Sequence, residues 1–130
     1  MTMPSGQPHD YLTATYGPRA RRTLVDLRTL IALGVGLTAQ GRSAYESDIY
    51  LRLSAEAILH RVGEAVARLP VSLLEAHPEI EFSLAKAMRN RIAHQYRSVD
   101  YAILWQALVV DLPLMSEQVA GLLVMTVGTD

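Results

Sequence analysis

Between Leu51 and Leu69 the apolar residues Leu51, Ala55, Ile58, Val62, Ala65, Val66 and Leu69 recur at intervals of three and four, with Arg52, Glu56, His60, Glu64 and Arg68 on the other side. That spacing is the period of an α-helix with one buried stripe, and it is incompatible with a strand, whose faces alternate every second residue. Pro70 closes the run, because the residue before a proline is pushed out of helical backbone. Upstream, Leu24, Leu27, Ile31 and Val35 repeat the period and predict a helix from about Arg19 to about Ala39, stopped by Gly41. Gly34 and Gly36 each cost that helix about 1 kcal/mol relative to Ala, so its last turns either fray or lie close against a neighbour.

Further along, Ser72 to Ala76 predicts a single helical turn. Pro78 is expected near the start of a third long helix whose buried edge is Ile80, Leu84, Met88 and Ile92. A fourth helix is expected from Asp100, a suitable N-cap, to about Val127, with a kink at Pro113. No window alternates like a strand and none carries a hairpin turn signal. The expected fold class is therefore all-α, an antiparallel bundle of four to five helices. A single domain is expected over residues 19–130, preceded by a flexible leader over residues 1–18 that contains Pro4, Gly6, Pro8, Gly17 and Pro18. In the fourth helix Ile103, Leu104, Leu108, Val109, Val110, Leu112, Leu114 and Met115 cover most of the circumference. A helix apolar all round needs burial all round. Either it is central in its own bundle or a second copy of the chain covers it, and the small size of the bundle favours a homodimer.

At 130 residues the chain can bury roughly two thirds of the surface it exposes when unfolded, enough for one core without disulfides or a structural metal. With no Cys, a disulfide framework, a thiolate zinc site and a cysteine nucleophile are excluded, and a reducing compartment fits. Residues 1–18 lack the apolar centre of a secretion signal, and Asp111, Pro113 and Glu117 interrupt the apolar stretch from Ile103 to Val127, so a soluble cytoplasmic protein is expected. The net charge of −1 does not mark the chain as a polyanion binder in bulk. Distribution matters more: Arg19, Arg21, Arg22 and Arg28 crowd one segment, and Lys86, Arg89, Arg91 and Arg97 crowd another around His94.

The segment from Met88 to Tyr96 concentrates two cations, an amide, an imidazole and a phenol in nine residues. On a continuous helix Asn90 and His94 share a face, whereas Arg89 and His94, five apart, diverge unless the helix ends there or a dimer axis joins two copies. The set suits metal-independent RNA cleavage. A histidine can take the proton of a ribose 2′-hydroxyl or return one to the leaving oxygen, and an arginine can hold the phosphate and its developing charge. Asn90 could orient the imidazole. The competing reading is structural, with His94 and its basic neighbours complementing the negative end of a helix dipole. Metal catalysis fits poorly, since His60 with Glu56 or Glu64 offers only two ligands of helix ion-pair type. Glu64 with Arg68 reads as a surface pair. Gly63 either admits a neighbouring helix or is a tolerated defect.

These residues carry a resemblance. Arg89, four intervening residues, then His94, Gln95 and Tyr96 resemble the Arg-x4-6-His-x-Tyr signature of the HepT-like toxins of the HEPN superfamily. Val62-Gly63-Glu64-Ala65 is similar to the family's Ile-Gly-Glu-Ala helix, and His77-Pro78, Met88-Arg89-Asn90, Val99-Asp100 and Trp105 follow in order. The similarity spans about Arg19 to Leu123, with Phe82 where relatives often carry Trp. The resemblance implies an all-α, homodimeric ribonuclease toxin of a toxin–antitoxin pair, without cofactor, its two motifs meeting at the dimer cleft. It implies Arg89 and His94 as catalytic residues, Asn90 as a supporting one, and Lys86, Arg91 and Arg97 as neighbours for RNA phosphates. The implied partner is a nucleotidyltransferase antitoxin of the MntA type that transfers AMP to Tyr96. A phosphodiester there would occupy the place of the RNA phosphate and repel it. Two other readings compete: a non-catalytic helical module that regulates a nucleotidyltransferase or RNA, and an accessory subunit of a split nucleotide-binding enzyme.

Overall fold

The computed structural model describes residues 9–95 and 97–128. Four long helical runs carry the core, as the periodicity predicts. The first, α2 (Pro18–Thr38), begins with Pro18 at a position where its missing N–H does no harm, after Gly17 at φ 93°, a backbone conformation that suits glycine. Leu24, Leu27, Ile31 and Leu37 form its buried stripe. The next, α4 (Ile49–Ala67), is capped by the Asp48 carboxylate, which accepts from the Tyr50 N–H at 2.9 Å. Its buried residues Ala55, Leu59, Val62 and Val66 follow the expected helical spacing.

The third long helix, α6 (Phe82–His94), starts later than the sequence suggests. Pro78 lies in the turn before it rather than in its first turn, and Ile80 is buried from that turn. Phe82, Ala85, Met88 and Ile92 make the buried edge, while Leu84 is only half-buried. The fourth run comprises α7 (Tyr101–Gln106), a π-helical turn (Ala107–Asp111) and α8 (Leu112–Val124). Asp100 caps it as expected, accepting from the N–H groups of Ala102 and Ile103 at 3.0 and 3.4 Å. The irregular turn ends two residues before Pro113, which supplies no N–H and crowds the preceding turn. Short helices α1 (Tyr11–Tyr16), α3 (Arg42–Ser47) and α5 (Val71–Ala76) complete the helical set. Helix α3 occupies what reads in the sequence as a loop after Gly41, whose φ of 99° lets the chain turn into it.

The expected leader over residues 1–18 is corrected from His9 onward; residues 1–8 lie outside the described residues. His9–Asp10 (β1) pairs antiparallel with Thr126–Val127 (β2), a two-residue ladder too short to show as sequence alternation. Helix α8 therefore ends at Val124, before the expected limit at Val127. The Asp10 carboxylate caps α1 at Thr13 and also accepts from Arg21, whose guanidinium reaches the Leu123 carbonyl. Burial would raise the Asp10 pKa, but the Thr13 hydrogen bonds and the Arg21 charge outweigh it and lower it from 3.8. Leu12 is fully buried. The Tyr11 hydroxyl contacts Tyr16 and bonds His77 Nε2 at 2.8 Å; with burial, the Tyr16 bond pushes Tyr11 up to about 12. The Pro and Gly content signals turns, but the apolar and aromatic residues between them anchor the segment.

Helix α4 packs between α6 and α2, and α2 packs in turn against α8 and α1. Trp105 stacks on Tyr45, whose hydroxyl donates to the Tyr101 carbonyl at 2.7 Å. The last helical run is long and apolar enough to cross a membrane by length and composition alone. In this fold Leu104, Leu108, Leu112 and Met115 line the core, whereas Val110 and Leu114 remain 49% and 55% exposed. The run is therefore not enclosed by its own bundle, and half of its apolar circumference is left to solvent in the single chain.

Candidate active site

The site is built where α6 crosses α4. A Cβ added at Gly63 would lie 2.4 Å from Arg89 Cβ and 2.9 Å from the Ala85 carbonyl oxygen. No side chain fits there, so Gly63 is the contact that lets α6 lie directly on α4 with the stem of Arg89 across it. Of the two sequence readings of Gly63, close approach is the correct one.

This crossing places the Arg89 guanidinium beside Glu64. Arg89 Nη1 donates to Glu64 Oε1 at 3.1 Å, and Nε and Nη2 both donate to Asn90 Oδ1, at 3.3 and 3.0 Å. The expected surface pair of Glu64 with Arg68 is thus corrected: the cation meeting Glu64 comes from another helix, where spacing along α4 gives no hint of it. His60 Nε2 lies 3.9 Å from the same Glu64 oxygen, the i,i+4 pair expected on α4. Among the described residues these contacts engage three of the five N–H donors of the guanidinium, leaving two for an anion. The side chain is 25% exposed, so the group is packed and fixed yet reachable. A fixed guanidinium loses little conformational entropy when it takes up a phosphate.

Helix α6 continues through His94, with Gln95 as its C-cap. Arg89 and His94 are therefore separated by roughly 140° around the axis. Lys86, Asn90 and His94 fall at i, i+4 and i+8 and share one stripe. Asn90 connects the two sides. Expected as a supporting residue that orients His94, it holds Arg89 through its Oδ1. His94, Lys86, Arg91 and Arg97 are exposed, the first three on α6 and Arg97 in the turn after it. Tyr96, expected as the modified residue, lies outside the described residues. Among the described residues no three His, Asp or Glu side chains gather as metal ligands.

The family model described as "Ribonuclease HepT-like" matches residues 26–122. The chain belongs to the HepT-like ribonuclease family. "Putative RNase TTE0752" of Caldanaerobacter subterraneus subsp. tengcongensis is 32% identical over 65 residues, covering 50% of this chain and 58% of that protein. "Putative RNase MJ0125" of Methanocaldococcus jannaschii is 33% identical over 60 residues, 46% and 52% of the two chains. "Probable ribonuclease HepT" of Thermococcus cleftensis is 34% identical over 55 residues, 42% and 50%. The alignments thus span little more than half the length of these curated relatives. No solved structure matches the chain.

Within this HepT-like chain the site also includes Gly63 and Glu64, residues that spacing alone places on a surface helix. The available signal was the glycine itself. A glycine costing about 1 kcal/mol inside the cleanest helix of the chain, next to a carboxylate, marks a crossing point.

Proposed function

We propose that this HepT-like protein is a metal-independent endoribonuclease toxin, active as a homodimer and neutralised when an MntA-type nucleotidyltransferase transfers AMP to Tyr96. The observation that supports it best is the fixed Arg89 guanidinium, with two donors uncommitted, five residues before an exposed histidine on the same helix. In this reaction His94 takes the proton of a ribose 2′-hydroxyl as its oxygen attacks phosphorus. The bond from phosphorus to the 5′-oxygen breaks, and a histidinium returns a proton to that oxygen. The products are a 2′,3′-cyclic phosphate and a 5′-hydroxyl, and Arg89 stabilises the charge that builds on the phosphoryl oxygens.

The angular separation of Arg89 and His94 favours a site completed by two copies, each supplying what points away in the other. The exposed apolar side of the last helical run, with Val110 and Leu114, is the surface such a dimer would bury. Lys86, Arg91 and Arg97 then line the approach for flanking phosphates, in the cytoplasm where RNA and the antitoxin meet.

The test is cleavage of total RNA in excess chelator by the purified protein beside His94→Ala, with intact mass spectrometry to establish whether Tyr96 carries AMP. Chelator-resistant cleavage that disappears in the variant is the expected result. A folded, unmodified dimer that leaves a broad RNA pool intact refutes the nuclease and favours a regulatory binding module.

A further inference from the structure

The arginines that precede the motif divide into two groups. Arg21, Arg28, Arg42 and Arg52 are engaged, by Asp10, Ser116, Glu46 and the Tyr45 carbonyl respectively. Arg19 and Arg22 on α2, Arg61 on α4 and Arg68 at the C-cap of α4 make no ion pair among the described residues. All four border one groove. It consists of two adjoining hollows between α2 and α4, of about 530 and 300 Å³, that share Asp26 and Arg68. Arg61 lines the first; Arg19 and Arg22 line the second beside Arg21, whose charge is taken by Asp10.

Four uncompensated guanidinium groups around one depression repel each other, and a single free carboxylate, Asp26, does not neutralise them. Such an arrangement is stabilised by a bound polyanion. The groove is also continuous with the active site, because Glu64 lines its inner part and is the same carboxylate that holds Arg89. Arg61 and Arg68 are two helical turns apart, about 10 Å along α4, so they meet separate points on an extended ligand. No Phe, Tyr or Trp lines either hollow. The one ring among the lining residues is the His60 imidazole, 3.9 Å from Glu64, so cations dominate and the surface follows a phosphate backbone more than it reads bases.

We propose that the groove between α2 and α4 is a track for the backbone of single-stranded RNA. Arg61 and Arg68, then Arg22 and Arg19, hold phosphates on one side of the scissile bond. The assignment rests on the ribonuclease reading for the identity of the polyanion, and on the groove for its position. It accounts for the arginine-rich start of α2, which the motif leaves unexplained.

The experiment measures binding of 2′-O-methyl RNA, which the proposed reaction cannot cleave, in oligomers of about four and about twelve nucleotides. Full-length wild type is compared with Arg61→Ala/Arg68→Ala across a salt series, and with Arg28→Ala/Arg42→Ala, which removes the same charge elsewhere. Circular dichroism verifies that each variant is folded. The groove variant is expected to bind the longer oligomer at least about tenfold more weakly, with its salt slope reduced by about 1.4, near 0.7 for each phosphate that the variant no longer neutralises. The short oligomer and the control variant retain wild-type affinity. Unchanged affinity and slope for the longer oligomer overturn the track and leave these arginines to an acidic protein surface. An equal loss in the control variant overturns it as well, since net charge alone would then explain the effect. Wild type that cleaves no RNA, yet binds the longer oligomer through Arg61 and Arg68, removes the nuclease reading and leaves the track standing.

Discussion

Opposite Gly63 lie a backbone carbonyl and the root of Arg89; opposite Gly34, the second glycine at a tight helix contact, lie side-chain methyls, the nearer at the tip of Leu108. A Cβ at Gly34 would come 2.9 Å from Leu108 Cδ2 and 3.7 Å from Ile58 Cγ2. The distances at the two glycines overlap, but the neighbours differ in stiffness. A leucine methyl can move by changing rotamer, whereas a helix backbone moves only with its whole segment. Gly34 serves packing. Gly63 serves packing and also fixes the position of Arg89, the side chain proposed to hold the phosphate, so the two crossings should separate sharply under the same substitution.

The largest effect is expected at Gly63. Gly63→Ala forces α6 away from α4, costs ~2–3 kcal/mol by overpacking and displaces Arg89, so cleavage falls further than the loss of folded protein accounts for. Urea unfolding together with activity per folded molecule measures both. An active Gly63→Ala protein of wild-type stability would show that the crossing is not tight and dissolve the contrast with Gly34.

Next comes Glu64→Gln, which keeps the shape of the carboxylate but removes the charge opposite Arg89. Its expected effect is on kcat, lowered about 10–100-fold, with little change in unfolding free energy, because a partly exposed ion pair contributes little to stability. Glu64→Asp should restore part of the rate if the role is to position Arg89. A change confined to KM would instead place Glu64 in substrate binding and separate it from Gly63.

The two crossings also show how far the sequence could be read. The long helices are legible because their apolar stripes keep the helical period, and the start of the last one is legible because Asp100 offers a cap; the Asp48 cap and the Pro18 start emerge only in the structure. The motif from Arg89 to Tyr96 is legible as a cluster of chemical groups and as a family resemblance. What joins Arg89 to Glu64 is not, since the two are 25 residues apart and periodicity describes only contacts along one helix. The same limit explains the N-terminus. Tyr11 bonds His77, 66 residues away, and Leu12 is fully buried, whereas the Pro and Gly on either side of the segment signal only turns. It explains Pro78 too, where the rule that proline favours a first turn competes with Ile80, buried before the helix begins at Phe82.

A smaller effect is expected for Gly34→Ala. Leu108 must shift by a rotamer, which costs of the order of 1 kcal/mol, and the better helix propensity of Ala returns about as much, so stability stays within about 1 kcal/mol of wild type and cleavage is unaffected. Destabilisation as large as that of Gly63→Ala would show that the π-helical turn carrying Leu108 is as unyielding as α6.

The smallest effect, of opposite sign, belongs to Gly36, two residues along the same helix, where an alanine methyl would meet nothing within 4 Å. With no neighbour to displace, Gly36→Ala should raise stability by about 0.5–1 kcal/mol, since Ala loses less backbone freedom on folding. The urea midpoint measured at two protein concentrations makes the result informative beyond this one helix. Leu33, one turn back on the same side of α2, is 58% exposed, so this side is bare in the single chain. A gain that is the same at both concentrations means no second copy covers this end of α2, which leaves Val110 and Leu114 as the surface for the proposed dimer. A gain at low concentration that turns into a loss at high concentration means the second copy covers the end of α2, and Gly36 then joins Gly63 as a glycine required by a contact.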